Sequence, residues 1–143
     1  MKKMQKGLAT TCVFFSLVFL VCSIFTISSS SFASTGKTLD NLQAAYDGES
    51  NANAKYLAFA AKADEEGYGE VASLFRAAAK AEQIHMASHA KVIQEMGAVP
   101  IAKIKEAQVL TTKENLQAAI EGETYEKTMM YPEFISAADQ RQL

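Results

Sequence analysis

Apolar positions recur along most of the chain at spacings of three and four, the period of a helix buried on one face. From Thr38 the series Leu39, Leu42, Tyr46, Glu49, Asn53, Tyr56 and Ala60 meets no proline before Gly67. It predicts a first helix from Thr38 to Glu66, closed by Gly67 in the left-handed conformation. Glu49 falls on the apolar stripe, where an unpaired carboxylate is costly. Gly67-Tyr68-Gly69 is a tight turn, which makes the next helix antiparallel to the first. That second helix runs from about Glu70 to Met96, with an inward stripe read as Val71, Leu74, Ala78, Glu82, His85, His89, Val92 and Met96. Gly97 and Pro100 end it. Residues 97–111 are too long for a hairpin loop and suit a crossover that sets a third helix parallel to the second. Thr111-x-x-Glu114 is a capping box, and the helix it opens continues through Leu116, Ile120, Glu123, Glu126, Met130 and Phe134, with a kink expected at Pro132.

The first residues follow another pattern. A basic start (Lys2, Lys3, Lys6), an apolar run densest from Val13 to Phe25, and Ser31-Phe32-Ala33 form a secretory signal. Cleavage is expected after Ala33, with export to the periplasm or beyond the cytoplasm. The competing reading is an uncleaved inner-membrane anchor through residues 7–27, a stretch that approaches spanning length. Ser34 to Lys37 reads as a linker, and residues 34–143 as one domain. Without residues 1–33 the 14 basic side chains fall to 11 against 16 acidic, a net charge of −5. That excludes the basic face a nucleic-acid partner would need. Cys12 and Cys22 leave with the segment, so a metal would be held by carboxylate and imidazole alone.

Glu82-Gln83-Ile84-His85 places a carboxylate and an imidazole three residues apart, on one face of the second helix. Glu49 and Glu82 lie about 28 and 21 Å from the turn at Tyr68 at the helical rise, so their heights differ by little more than one turn. A repeat adds the remaining carboxylates. Asn41-Leu-Gln-Ala-Ala-Tyr-Asp-Gly-Glu-Ser50 matches Asn115-Leu-Gln-Ala-Ala-Ile-Glu-Gly-Glu-Thr124 at a constant offset, identical at seven of ten positions. Duplication of a helical hairpin explains it. Glu123 is the equivalent of Glu49, and Glu126 stands where the first copy has Ala52. The glycine before each glutamate, Gly48 and Gly122, costs about 1 kcal/mol within a helix, and its recurrence suggests close helix approach. Buried together, Glu49, Glu82, Glu123 and Glu126 would cost several kcal/mol per charge. Two divalent ions would neutralise them, and oxygen-rich ligation with one imidazole suits iron or manganese better than structural zinc.

Three segments, Gly48 to Tyr56, Ala81 to His85 and Gly122 to Phe134, together resemble the rubrerythrins over residues 38 to 140. The resemblance implies an all-α, ferritin-like bundle: an antiparallel helix pair and a third long helix after a crossover. It places Glu49, Glu82, His85, Glu123 and Glu126 on iron-ligand positions of a centre holding two irons, with manganese or a mixed pair as alternatives. Tyr56 and Tyr131 resemble the tyrosines that line such a site and hydrogen-bond to its carboxylates. Reduction of hydrogen peroxide in oxidative-stress defence is the implied activity, with oxygen as the other oxidant.

Two departures qualify the resemblance. With no cysteine after Cys22, a carboxy-terminal rubredoxin module is not expected, so electrons would come from a separate rubredoxin-like protein. The repeat also calls for a fourth helix with a second Glu-x-x-His, and the chain as given reaches Leu143 before it. A homodimer would supply that ligand set from two copies of the first hairpin. The alternatives are an iron-binding, ferroxidase or storage module without peroxidase turnover, and an inactive truncated fragment. His89, one turn beyond His85, reads as a neighbour of the ligands or a partly exposed polar residue, not as a ligand.

Overall fold

The computed structural model describes residues 29–139. The apolar run read as a signal core or an anchor, residues 7–27, lies outside them. Helix α1 spans Ser29–Glu65, α2 Gly69–Glu95 and α3 Thr112–Tyr125; a π-helical turn, Glu126–Met130, leads without a break into α4, Tyr131–Asp139. The architecture is all-α and ferritin-like in arrangement: α1 and α2 pair antiparallel, and α3 with α4 forms a third rod parallel to α2. Among the described residues there is no strand, and no helix is long and apolar enough to cross a membrane. The linker expected at Ser34 to Lys37 is instead part of α1. Its single glycine costs about 1 kcal/mol, too little to stop a helix that gains one bond per residue.

Both turns that close α1 and α2 have one chemistry. Gly67 and Gly97 take φ of 81° and 80°, which only glycine adopts without strain. Each completes a Schellman motif: Gly67 N–H reaches Asp64 O and Tyr68 N–H reaches Ala63 O, while Gly97 N–H reaches Gln94 O and Ala98 N–H reaches Ile93 O. The core lies between α1 and α2 around Phe59 and Phe75, packed edge to face at 5.3 Å, with the Tyr56 ring 6.0 Å from Phe75.

The crossover is held by a match of periods. Gln43, Asp47 and Asn51 stand four apart on α1, about 6 Å per step at the helical rise. Two extended residues cover about 6.6 Å. Gln43 therefore donates to Val99 O (2.7 Å) and accepts from Ile101 N–H (3.2 Å), and Asp47 accepts from Lys103 N–H (2.6 Å). Asn51 donates to Lys103 O (3.2 Å) and accepts from Lys105 N–H (2.8 Å). Residues 99–105 thus run straight along α1 and deliver the chain to its far end. There the Thr111 and Glu114 capping box opens α3, and Glu66 accepts from Thr112 N–H. Buried Asn115 clamps Leu110, accepting its N–H and donating to its carbonyl.

Two expectations are corrected. The stripe of α2 that meets α1 is Ala72, Phe75, Ala79, Glu82 and Ile93, whereas Leu74 and Val92 are 60% and 40% exposed. Leu74, Ala78, Ala81 and His85 form a second stripe, which with Leu116, Ala119, Ile120 and Glu123 lines a groove of about 470 Å³ between α2 and α3. The expected stripe mixed the two faces because α2 carries apolar residues on both. Nor do helices approach closely at the repeated glycines: a Cβ at Gly48 would meet open space, and one at Gly122 would touch only Lys55 Nζ at 3.7 Å. Nothing in the structure explains Gly48.

Candidate metal centre

α1 brings Glu49 to the middle of the bundle between buried Ala45 and Ala52, so its side chain is 2% exposed. α2 brings Glu82 against it, also buried, and His85 one turn later at the edge of the groove, with a side chain 54% exposed. His85 Nδ1 stands 2.9 Å from Glu82 Oε2 and 3.7 Å from Glu49 Oε1. One ligand atom from each of Glu49, Glu82 and His85 lies within 4.8 Å of the others, close enough to surround one cation. Glu123 and Glu126 are not in that tight group. They border the same cavity, about 370 Å³, with Glu49, His85, His89 and Tyr131.

Two tyrosines tie the carboxylates to opposite helices. The Tyr56 hydroxyl, from α1, donates to Glu123 Oε1 of α3 (2.5 Å), and the Tyr131 hydroxyl, from α4, donates to Glu49 Oε1 of α1. Burial and the facing carboxylates raise both phenols far above their ordinary value, so both keep their protons. Tyr131 reaches inward because of what precedes it. Pro132 has no N–H to give its preceding turn and would crowd the carbonyl four residues back. The backbone widens there into the π-helical turn, where Tyr131 N–H bonds to Glu126 O, five residues back. The kink expected at Pro132 takes this form, and it sets both Glu126 and Tyr131 toward the cavity.

The charges are unequal by construction. Burial raises the Glu82 carboxyl strongly, and the adjacent Glu49 raises it further. Burial works the same way on Glu49, but the nearby His89 imidazole, hydrogen bonds with Glu82 and Tyr131 and the charge of His85 hold it low. The pair therefore shares one proton, carried by Glu82. Glu126 is pushed up to about 7 by burial and by Glu49 and Glu123, against the pull of Lys55 and His89. Oε2 of Glu49 is buried and finds no donor among groups that ordinarily carry a proton. A proton on Glu82 or a cation would satisfy it. An orphaned carboxylate oxygen, a second carboxyl displaced from its ordinary ionisation and an imidazole within reach fit a divalent metal.

One feature went unread in the sequence, and another was read only in part. The π-helical turn has only Pro132 as its signal. His89 is more closely involved than its half-buried position suggests: Nε2 lies 3.1 Å from the Tyr131 hydroxyl and 3.9 Å from Glu49 Oε1, with the rings stacked at 6.1 Å. Its spacing of four from His85, on the same helix face, marked it as a neighbour of the ligands, but not the bond to Tyr131.

Comparison with known proteins covers most of this structure. The Rubrerythrin family model matches residues 40–143. Nigerythrin of Nitratidesulfovibrio vulgaris is 38% identical over 117 residues, which is 81% of this chain and 58% of that protein. A putative rubrerythrin of Methanocaldococcus jannaschii is 37% identical over 116 residues, 75% of this chain and 57% of that one. The structure of partially reduced nigerythrin superimposes with a TM-score of 0.69 at 40% identity, covering 73% of this chain and 52% of the other. The chain thus spans little more than half the length of these relatives.

Proposed function

From the chain's membership of the rubrerythrin family, a family of di-iron oxidoreductases, we propose that it binds two iron ions and reduces hydrogen peroxide to water. The observation that carries the reading is the Glu49, Glu82 and His85 group, in which buried Glu49 Oε2 lacks the partner a cation would be. Glu49, Glu82 and His85 would hold one ion and Glu123 and Glu126 would serve the second. When bound, two ferrous ions would supply one electron each, the two that H2O2 needs with two protons to become two waters. Relatives support the metal: one solved nigerythrin structure is described as fully reduced and all ferrous.

The chain's own groups do the remaining work. Glu82 holds the shared proton of the metal-free site and would release it on becoming a ligand. Tyr56 and Tyr131 each fix one carboxylate oxygen and leave the other for the metal. In the metal-free site Glu126 is held near 7, so its carboxyl would likewise give up any proton it carries on serving a metal. Electrons would come from an external one-electron donor of the rubredoxin type, and export by way of residues 1–33 belongs to the same reading. The reading also includes a homodimer in which a second hairpin offers a second Glu-x-x-His; two irons per dimer would support it, and a monomer that takes up no iron would sink it.

A second reading has its own observation. His85 and Glu123 face the open groove, not a dry pocket, which favours iron binding or ferroxidase activity without peroxidase turnover. Anaerobic loading with Fe2+ followed by stopped-flow mixing with H2O2 separates the two. The peroxidase reading expects one H2O2 consumed per two Fe2+ and renewed consumption when a reductant is added. Oxidation by O2 alone, with ferric iron retained, selects the second.

A further inference from the structure

His89 and Tyr131 form the hydrogen bond that, among the described residues, ties α2 to the third rod. The Tyr131 hydroxyl has a single proton, and its close contact with Glu49 Oε1 uses it. Facing His89 at 3.1 Å, the phenol oxygen can therefore only accept, and His89 must present Nε2–H. The stacked rings, 19° from parallel at 6.1 Å, fix the plane in which that N–H points. A directed chain results, from His89 Nε2–H to the Tyr131 oxygen and from the Tyr131 proton to Glu49 Oε1.

We propose that His89 is a positioning residue: it holds the Tyr131 hydroxyl with its proton aimed at Glu49 Oε1, and thereby leaves Glu49 Oε2 as the oxygen presented to a divalent cation. The inference rests on the metal-binding reading above, and it names a residue that acts through Tyr131 without being a ligand. Without the Nε2–H donor, the phenol oxygen loses its acceptor role and the hydroxyl is free to turn away from Glu49. That carboxylate then loses the contact that distinguishes its two oxygens. His89→Leu removes the donor, whereas His89→Gln keeps an N–H at similar reach.

The test uses the full chain in two measurements. On metal-free protein, long-range ¹H–¹⁵N spectra of the imidazoles should show His89 with its proton on Nε2, a preference that Tyr131→Phe abolishes. A proton on Nδ1 in the unaltered protein overturns the proposal. Calorimetric titration with Co2+ should then show affinity reduced about tenfold in His89→Leu and within about threefold of the unaltered protein in His89→Gln. Equal affinity in His89→Leu, or equal losses in both variants, also overturns it. If the unaltered chain takes up no Co2+ or Fe2+, the metal reading falls, while the tautomer still decides the hydrogen-bond chain.

Discussion

Metal-free protein should lose stability as pH rises from 5.5 to 8, and Glu82→Gln should remove most of that loss. Glu82 is 5% exposed, its carboxyl is displaced upward by burial and by Glu49, and Glu126 is raised to about 7. In the unfolded chain both return to the ordinary carboxyl value of 4.5. A raised carboxyl means that the folded state binds the extra proton. Its contribution is complete below 4.5 and disappears as pH climbs toward the folded value. Glu49 has the opposite sign: its depressed value gives a contribution that is complete above 4.5 and lost only in strong acid, so it is constant across this window. One proton of difference corresponds to about 1.4 kcal/mol per pH unit, or roughly 3 kcal/mol between pH 5.5 and 8 as an upper bound. Glu126 adds to the slope below 7. Glutamine at 82 keeps the volume, a donor toward Glu49 and an acceptor toward His85, but has no proton to lose. The variant should match the unaltered protein near pH 5.5 and exceed it by about 2 kcal/mol at pH 8. Urea unfolding at half-unit pH intervals with a chelator present measures both. A flat or rising stability in the unaltered protein, or an unchanged slope in the variant, refutes the shared-proton account.

Tyr56→Phe removes the 2.5 Å bond to Glu123 and should weaken Fe2+ or Co2+ binding about tenfold by calorimetry while the helical circular dichroism is unchanged. Asp47→Ala frees Lys103 N–H in the centre of the crossover ladder, so cleavage between residues 99 and 105 in limited proteolysis should accelerate severalfold, with a stability loss of about 1 kcal/mol. Phe59→Ala empties the centre of the aromatic cluster and should cost about 3–5 kcal/mol in urea unfolding.

Helix order and the ends marked by local punctuation were legible because punctuation and period agree, whereas the start of α1, at Ser29 and not Thr38, carries no such mark. Gly67, Gly97 and the Thr111 to Glu114 box each act through local chemistry that needs no tertiary context. The face of α2 was not legible, since a helix with neighbours on two sides carries two apolar stripes, and spacing alone does not say which meets α1. Leu74 and Phe75 are adjacent in sequence and equally apolar; one borders the groove and the other fills the core. The grouping of Glu49, Glu82 and His85 was legible for a different reason. Carboxylates on an apolar stripe are expensive unless compensated, so their placement is informative where that of a leucine is not. What spacing could not supply is the wiring among them. The Tyr131 bond to Glu49 depends on a change of helical pitch, and the role of His89 depends in turn on where that change puts a phenol.

The repeat shows how one template came to do two jobs. Gln43 and Asp47 in α1 correspond to Gln117 and Glu121 in α3, and on both helices these side chains form a row one turn apart on the side away from the core. In α1 the row is spent on backbone groups of the crossover. In α3 it closes on itself, with Gln117 donating to Glu121 at 2.8 Å. The acid differs by one methylene between the copies. Aspartate, the shorter, bonds a backbone N–H lying directly along its helix, and glutamate spans one turn to its neighbour. On the inward side the copies agree at Glu49 and Glu123 but part at Ala52 and Glu126. Ala52 packs into the aromatic core, whereas Glu126 opens the π-helical turn and faces the cavity. Duplication thus supplied a symmetric pair of carboxylates, and the residue three positions later made the site asymmetric. The first copy contributes a carboxylate backed by core packing, and the second contributes one whose carboxyl is held near neutrality by the charges around it. In the metal-free site, of these two groups only the second can change its protonation near neutral pH.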